Sequence, residues 1–545
     1  MAKDDISSAG IAFGDVERQD TVSTAKATNN AKAATEAEHK MSLLQGIKTY
    51  PKAIAWSVLI STCIAMEGYD ISLVNNFYAF PQFTQKYGEL TPDGSYQVPA
   101  AWQAGLSNGA ACGEIIGLLI NGWASERFGY RYTILISLAL ITVFTAIFFT
   151  APNIQTLLAA EILAGVPWGI FQTLTITYAS EVCPVVLRGY LTSYINFCWG
   201  LGQLIGIGVI KAMLNRNDEW SYRIPYGLQW MWPVPLFIAI YLAPESPWWL
   251  VRKNKDKDAK KALLRLTNAD RNVDFNADET IAMIRYTTNL EAKLLDGASY
   301  LDCFKGTNLR RTEIVCLVWA IQNLSGNSFS NYSTYFLEQA GLSASNSYSF
   351  AMGQYGINMV GVFGAWLLMS FGIGRRTLFF YGLCGLCTIL FVMGFLGLVP
   401  NRDQASLATG SMMLCWALFY QLSVGTVAYT LVAEISTRRL QIKTVVLGRV
   451  LYNVIGIICG VLTPYMLNPS AWDWGNYAGF FWGGVCFCCV VYTFFRVPET
   501  TGRTFAELDM LFEEKVSARK FSGTQVDVFG AQVEMVEVFE HNYKA

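Results

Sequence analysis

Polar and small residues fill positions 1–50. From Ile54 the chain turns apolar, in long blocks separated by short polar connectors, as far as Phe495. Twelve such blocks carry few charges: 54–80, 101–123, 132–151, 155–180, 189–214, 226–243, 314–337, 347–371, 377–398, 407–433, 444–468 and 475–496. About 20 apolar residues cross the hydrocarbon core as a helix, whose backbone groups all bond within the segment. The pattern predicts an all-α polytopic membrane protein with twelve transmembrane helices. The charged, helix-prone stretch 252–311 separates the sixth block from the seventh, leaving two six-helix bundles over 51–251 and 312–497. The polar tail 1–50 is expected to be disordered, without a cleavable apolar leader, and a second tail covers 498–545.

Composition strengthens this picture. Of 545 residues 53% are apolar and 15% charged, with a mean hydropathy of +0.31, where a soluble chain carries about 25% charged residues. Connectors on one side hold Arg127, Arg131, Arg188, Arg375, Arg376, Arg438, Arg439 and Lys443. The other side holds only Lys86, Arg216, Arg223 and Arg402. Positive charge stays inside, so both termini are expected in the cytoplasm. The thirteen cysteines lie almost wholly within the blocks, which gives no disulfide framework. There is no Gly-rich phosphate loop and no metal-ligand cluster, and both histidines, His39 and His541, sit in the tails. These absences argue against an enzyme, and no cofactor is expected.

The two halves repeat one signal between their second and third blocks: "GWASERFGYR" from Gly122 and "SFGIGRRT" from Ser370. A glycine-bearing tight loop with arginines brings two helix ends together and faces cations to the cytoplasm. Repetition in register argues for internal duplication, a plan in which substrate binds between the halves. "PESPWWL" (Pro244 to Leu250), "PETTGRT" (Pro498 to Thr504), "YASEVCPVVLRG" (Tyr178 to Gly189) and "AEISTRRLQIKT" (Ala433 to Thr444) resemble signatures of the sugar porter branch of the major facilitator superfamily over about residues 50–510. "EGYD" in the first block and "VAEISTRRLQIKT" look most like the fungal α-glucoside permeases, which are proton symporters for di- and trisaccharides. The resemblance implies two bundles rocking about a midplane site. It also implies inner-gate salt bridges among Glu126, Arg127, Arg131, Glu181, Arg188, Glu245, Arg375, Arg376, Glu434, Arg438 and Glu499.

Charges inside the apolar blocks are costly and face a cavity or a partner. Glu67 and Asp70 are three residues apart on one helix face. Glu114 lies about twelve residues above the inner end of its block, roughly 18 Å at 1.5 Å per residue. Glu161 stands where the resemblance implies an arginine in span four, so the usual counter-ion to Asp70 is replaced by an acid. Arg449 is the one deep cation on this reading. Burial and neighbouring like charge disfavour an ionised carboxyl, so this group is the candidate for proton coupling. A static Glu114–Arg449 pair is the alternative.

Sugars need amides for their hydroxyls and rings for their C–H faces. "IQNLSGNSFSNYSTYF" in the seventh block offers Gln322, Asn323, Asn327 and Tyr332 and resembles the family's "QQxSGIN" element. Gln203 matches a family sugar ligand. Asn196, Tyr429 and Asn453 stand where relatives place a glutamine or tryptophan, and these smaller or flatter side chains suit a substrate larger than one hexose. The function expected is proton-coupled import of α-glucosides by alternating access. The alternatives are an uncoupled facilitator, symport of lactose, cellobiose, sucrose or a hexose, or a non-transporting sugar sensor, which typically carries a longer cytoplasmic tail. The expected partners are a sugar, a proton and the lipid bilayer of the plasma membrane, with no nucleic acid and the chain working as a monomer.

Overall fold

Within the described residues each apolar block folds as helix, and local chemistry sets most of the ends. The computed structural model describes residues 40–78, 80–90, 96–268, 276–294, 299–328, 344–399, 402–437, 440–467, 472 and 474–526. In the first half the spans are Pro51–Ser61 continued by Ile64–Phe77, then Ala100–Phe128, Tyr130–Thr150, Ile154–Val182 and Val185–Met213. The sixth is built from Trp220–Leu228, a short 3₁₀ turn and Pro233–Tyr241. In the second half they are Gly306–Gln322 with a π-helical turn Asn323–Asn327, Ala344–Ser370, Arg375–Leu396, Arg402–Leu422 continued by Val424–Ile435, Gln441–Leu467 and Ala478–Arg496. Eight are long and apolar enough to cross a membrane by length and composition alone. The other four are the second, sixth, seventh and eighth, which are interrupted or richer in polar residues.

Caps explain several boundaries. Asn153 accepts from the Thr156 amide at 2.8 Å and starts the fourth span, and Ser246 caps the short helix Pro247–Arg252. Gly129, at φ +88°, makes the turn between the second and third spans that a side chain would strain.

Close backbone approach positions the acids. A Cβ on Gly113 or Gly117 would collide with the Ile162 or Val166 carbonyl, and one on Gly165 or Gly169 with the Ala110 or Glu114 carbonyl. Spans two and four therefore interlock through four glycines, as small residues permit inside a bilayer. Gly68 and Gly202 do the same for spans one and five. Glu67, Glu114 and Glu161 all lie within four residues of these crossings.

Two expectations change, and the second tail gains structure. Residues 43–49, placed in the disordered tail, form a helix held by a Ser42–Gln45 capping box. The described part of the second tail, 498–526, contains a helix and a 3₁₀ turn. Helix Phe505–Glu513 and a 3₁₀ turn at 518–523 bury Leu508, Leu511, Phe512 and Phe521 and bind Arg311 through Asp509. The seventh span begins at Gly306 rather than near 314, and a π turn with Gly326 at φ +97° interrupts it.

Candidate functional site

Where the two halves face each other, amides and rings line one cavity. Asn196, Trp199 and Gln203 come from span five, Gln322 and Asn327 from span seven, and Gln354, Tyr355 and Asn358 from span eight. Trp416, Ala417, Tyr420, Gln421 and Tyr429 come from span ten, and Arg449 and Tyr452 from span eleven. The space between them is about 510 Å³, counting the part open to solvent. Asn196 donates across the halves to Gln421 at 2.6 Å. Gln322 donates to the Gly425 carbonyl at 3.1 Å, and Asn323 turns away to the Tyr452 carbonyl at 2.9 Å. Tyr429 packs edge-on to Trp319 with centroids 4.8 Å apart. Tyr332 lies outside the described residues.

Glu67, Asp70, Glu114, Glu161 and Arg449, the five candidate coupling charges, are all buried and form two groups. In the first, Gln172 of span four donates to Glu67 Oε1 at 2.7 Å, and its own oxygen accepts from Arg449 Nε at 2.6 Å. Trp199, which lines the cavity, also donates to Glu67, at 3.2 Å. One amide thus links an acid of the first half to the cation of the second. Glu114 accepts from Asn453 at 2.8 Å, so the residue opposite it on span eleven is an amide, one turn beyond Arg449. The Arg449 guanidinium lies 4.1 Å from the Tyr452 ring centre and 4.6 Å from that of Trp319, a cation–π setting that favours a desolvated charge. In the second group, Asp70 and Glu161 meet within the first bundle, and Gln229 donates to Asp70 Oδ1. A charged group at the bilayer centre costs about 2.5–3.5 kcal/mol on insertion scales, which is why every one of these acids has a polar neighbour.

The connector residues meet on the side that the charge pattern expects to face the cytoplasm. Lys443 pairs with Glu126 across the halves, and Gln441 donates to Ser180 at 3.1 Å. Glu181 binds Arg252 at 2.9 Å and also accepts from Tyr130 and Ser246. Glu245 accepts the Tyr130 and Arg131 amides at 3.0 and 3.2 Å; burial pushes its carboxyl up, partly offset by backbone amides. Arg375 meets Glu434 at 3.6 Å. Glu499 takes the Arg376 and Thr377 amides and the Thr501 hydroxyl. Arg127 and Arg131 lie over the Trp123 and Tyr132 rings, and Arg188 lies 4.1 Å from the centre of the Phe505 ring. Arg376 donates to the Phe494 carbonyl. Arg438 lies outside the described residues.

Known proteins share this fold. The family model for "Sugar (and other) transporter" matches residues 56–512. The chain belongs to the sugar transporter family. A general alpha-glucoside permease of Saccharomyces cerevisiae is 41% identical over 527 residues, 96% of this chain and 85% of that protein. A maltose permease of the same yeast is 41% identical over 511 residues, 93% and 83% of the two chains. A proton:xylose symporter bound to 6-bromo-6-deoxy-D-glucose superposes with a TM-score of 0.73 at 19% identity, covering 85% of this chain and all of the other. The inward-open xylose transporter of E. coli gives 0.62 at 18% identity, covering 84% and 99%. Such identities establish the fold: twelve membrane helices in two six-helix bundles, in a multi-pass sugar transporter.

Within that family frame, the sequence reading missed several groups. Gln172 and Gln229 are single amides in apolar helices, and nothing local marks their acid partners 105 and 159 residues away. "GQYGIN" in span eight did carry a signal, because Gln354 and Asn358 are one turn apart. So did "CWALFYQL" in span ten, with Trp416, Tyr420 and Gln421. Lys443, counted only as inner charge, pairs with Glu126 across the halves.

Proposed function

We propose that this protein is a proton-coupled symporter that imports α-glucosides such as maltose, working as a monomer in the plasma membrane with both termini cytoplasmic. The observation that carries the reading is the chain Glu67–Gln172–Arg449, which runs from a buried acid to a wall of the amide- and aromatic-lined cavity. Protonating Glu67 removes the charge that Gln172 and Trp199 stabilise. It thereby alters the Gln172–Arg449 bond at the edge of the sugar site, so proton and sugar occupancy act on the same side chains. Inner contacts such as Lys443–Glu126 must break for release to the cytoplasm. The substrate class follows from the names of the yeast relatives and fits a cavity whose wall offers seven amides and six rings, of Trp and Tyr.

Cells expressing the protein, given a panel of mono-, di- and trisaccharides in weakly buffered medium, test this reading. Maltose and related α-glucosides should alkalinise the medium as they enter. Uptake of α-glucosides with no proton movement would establish an uncoupled facilitator, and no uptake of any sugar would support a sensor.

A further inference from the structure

Asp70 and Glu161 are each 1% exposed and lie side by side between spans one and four. The Glu161 carboxyl is within hydrogen-bonding reach of the Asp70 carboxyl. Gln229 of span six occupies Asp70 Oδ1, while Asp70 Oδ2 and Glu161 Oε1 find no donor among the described residues. The facing groups are neutral. Tyr69 gives its hydroxyl to the Pro225 carbonyl at 2.7 Å, and Tyr226 has a buried hydroxyl without a partner among the described residues. Tyr222, Tyr226 and Gln229 lie at i, i+4 and i+7, on one face of the sixth span. Beyond them, at its outer end, Arg223 and Glu219 pair with each other at 2.9 Å. No described cation faces the two acids, and neither acid lines the sugar cavity.

Two carboxyl oxygens at hydrogen-bonding distance with no donor between them need a hydrogen of their own: an ionised carboxylate only accepts, and a protonated carboxyl donates. Two adjacent negative charges in a buried seam repel each other, and the single Gln229 amide with no described cation beside it offsets them little. An O–H···O⁻ bond resolves both problems and is strong because one partner is ionised. The geometry points to a proton-binding site at which Asp70 and Glu161 share one proton, separate from the Glu67–Gln172–Arg449 group at the sugar cavity. The site rests on the symport reading above and deepens it, because it divides the buried acids into a pair that stores the proton and a group that senses it beside the sugar.

Infrared spectroscopy of the full-length protein in lipid vesicles tests the pair without any sugar gradient. At neutral pH the wild-type spectrum should contain the carbonyl band of a protonated buried carboxyl. That band should be lost or displaced in both Glu161→Gln and Asp70→Asn. In the same vesicles, maltose counterflow should persist in both variants, while proton-driven maltose accumulation falls at least tenfold. A wild-type spectrum with no protonated carboxyl overturns the site with no variant needed, as does a band unchanged in Glu161→Gln or normal accumulation by that variant. If wild-type protein moves maltose with no proton flux, the symport reading fails instead, and the band still reports separately on whether the pair holds a proton.

Discussion

Gln172 shows what a single uncharged side chain can do between two charges. It gives its NH₂ to Glu67 and takes the Arg449 Nε–H on its oxygen, so it is oriented by both partners at once. Methionine has nearly the same length and no hydrogen-bonding groups. Gln172→Met would leave an acid and a guanidinium each short of one bond, at about 1–3 kcal/mol for each unsatisfied group. The expected outcome is protein at the cell surface that exchanges maltose but no longer accumulates it against a gradient, measured by comparing counterflow with uphill uptake. Uphill uptake at the wild-type level would show that the amide is packing alone. The acids themselves were legible in the sequence, because an ionisable residue in an apolar block stands out. Their grouping was not, because it depends on amides contributed by spans four, six and eleven.

Among the elements, the seventh span departs furthest from a regular helix. Its π turn holds Gly326 at φ +97°, ψ 15°, a conformation costing an L-residue of order 1–3 kcal/mol. The irregularity lets Gln322 and Asn327 face the cavity while Asn323 turns to the Tyr452 carbonyl. A Cβ at 326 would also stand 3.0 Å from a Leu390 methyl. Gly326→Ala should therefore raise the KM for maltose several-fold and lower thermal stability by a comparable 1–3 kcal/mol, read from uptake kinetics and from unfolding of purified protein. An unchanged KM would place the turn outside substrate recognition. Apolar pattern and caps made the helices readable; the π turn was not, since "NLSGN" is also compatible with an ordinary helix carrying a glycine. The C-terminal helix was missed for a related reason. Its stop–start signal, Thr504 followed by Glu507 in a capping box, lies beyond the last apolar block, where attention to hydropathy ends.

At the scale of the whole molecule, the inner face is tied together and the cavity lies above the tie. Lys443 of span eleven and Glu126 at the end of span two join the halves, with the lysine side chain 6% exposed and the glutamate 43%. A half-exposed pair of this kind is worth about 1 kcal/mol at most, which is a factor of roughly five in a two-state equilibrium. Lys443→Glu places two acids together and should shift the population toward the inward-open form by about that factor or more. It should reduce maltose uptake and increase labelling of an engineered cysteine in the cavity from the cytoplasmic side. The double variant Glu126→Lys with Lys443→Glu restores opposite charges in reversed order and should return both measurements most of the way to wild type. If the double variant stays as impaired as Lys443→Glu, the two residues act separately, and closure of the inner side then rests on the neutral contacts, Gln441 to Ser180 and Thr430 to the Gly189 carbonyl.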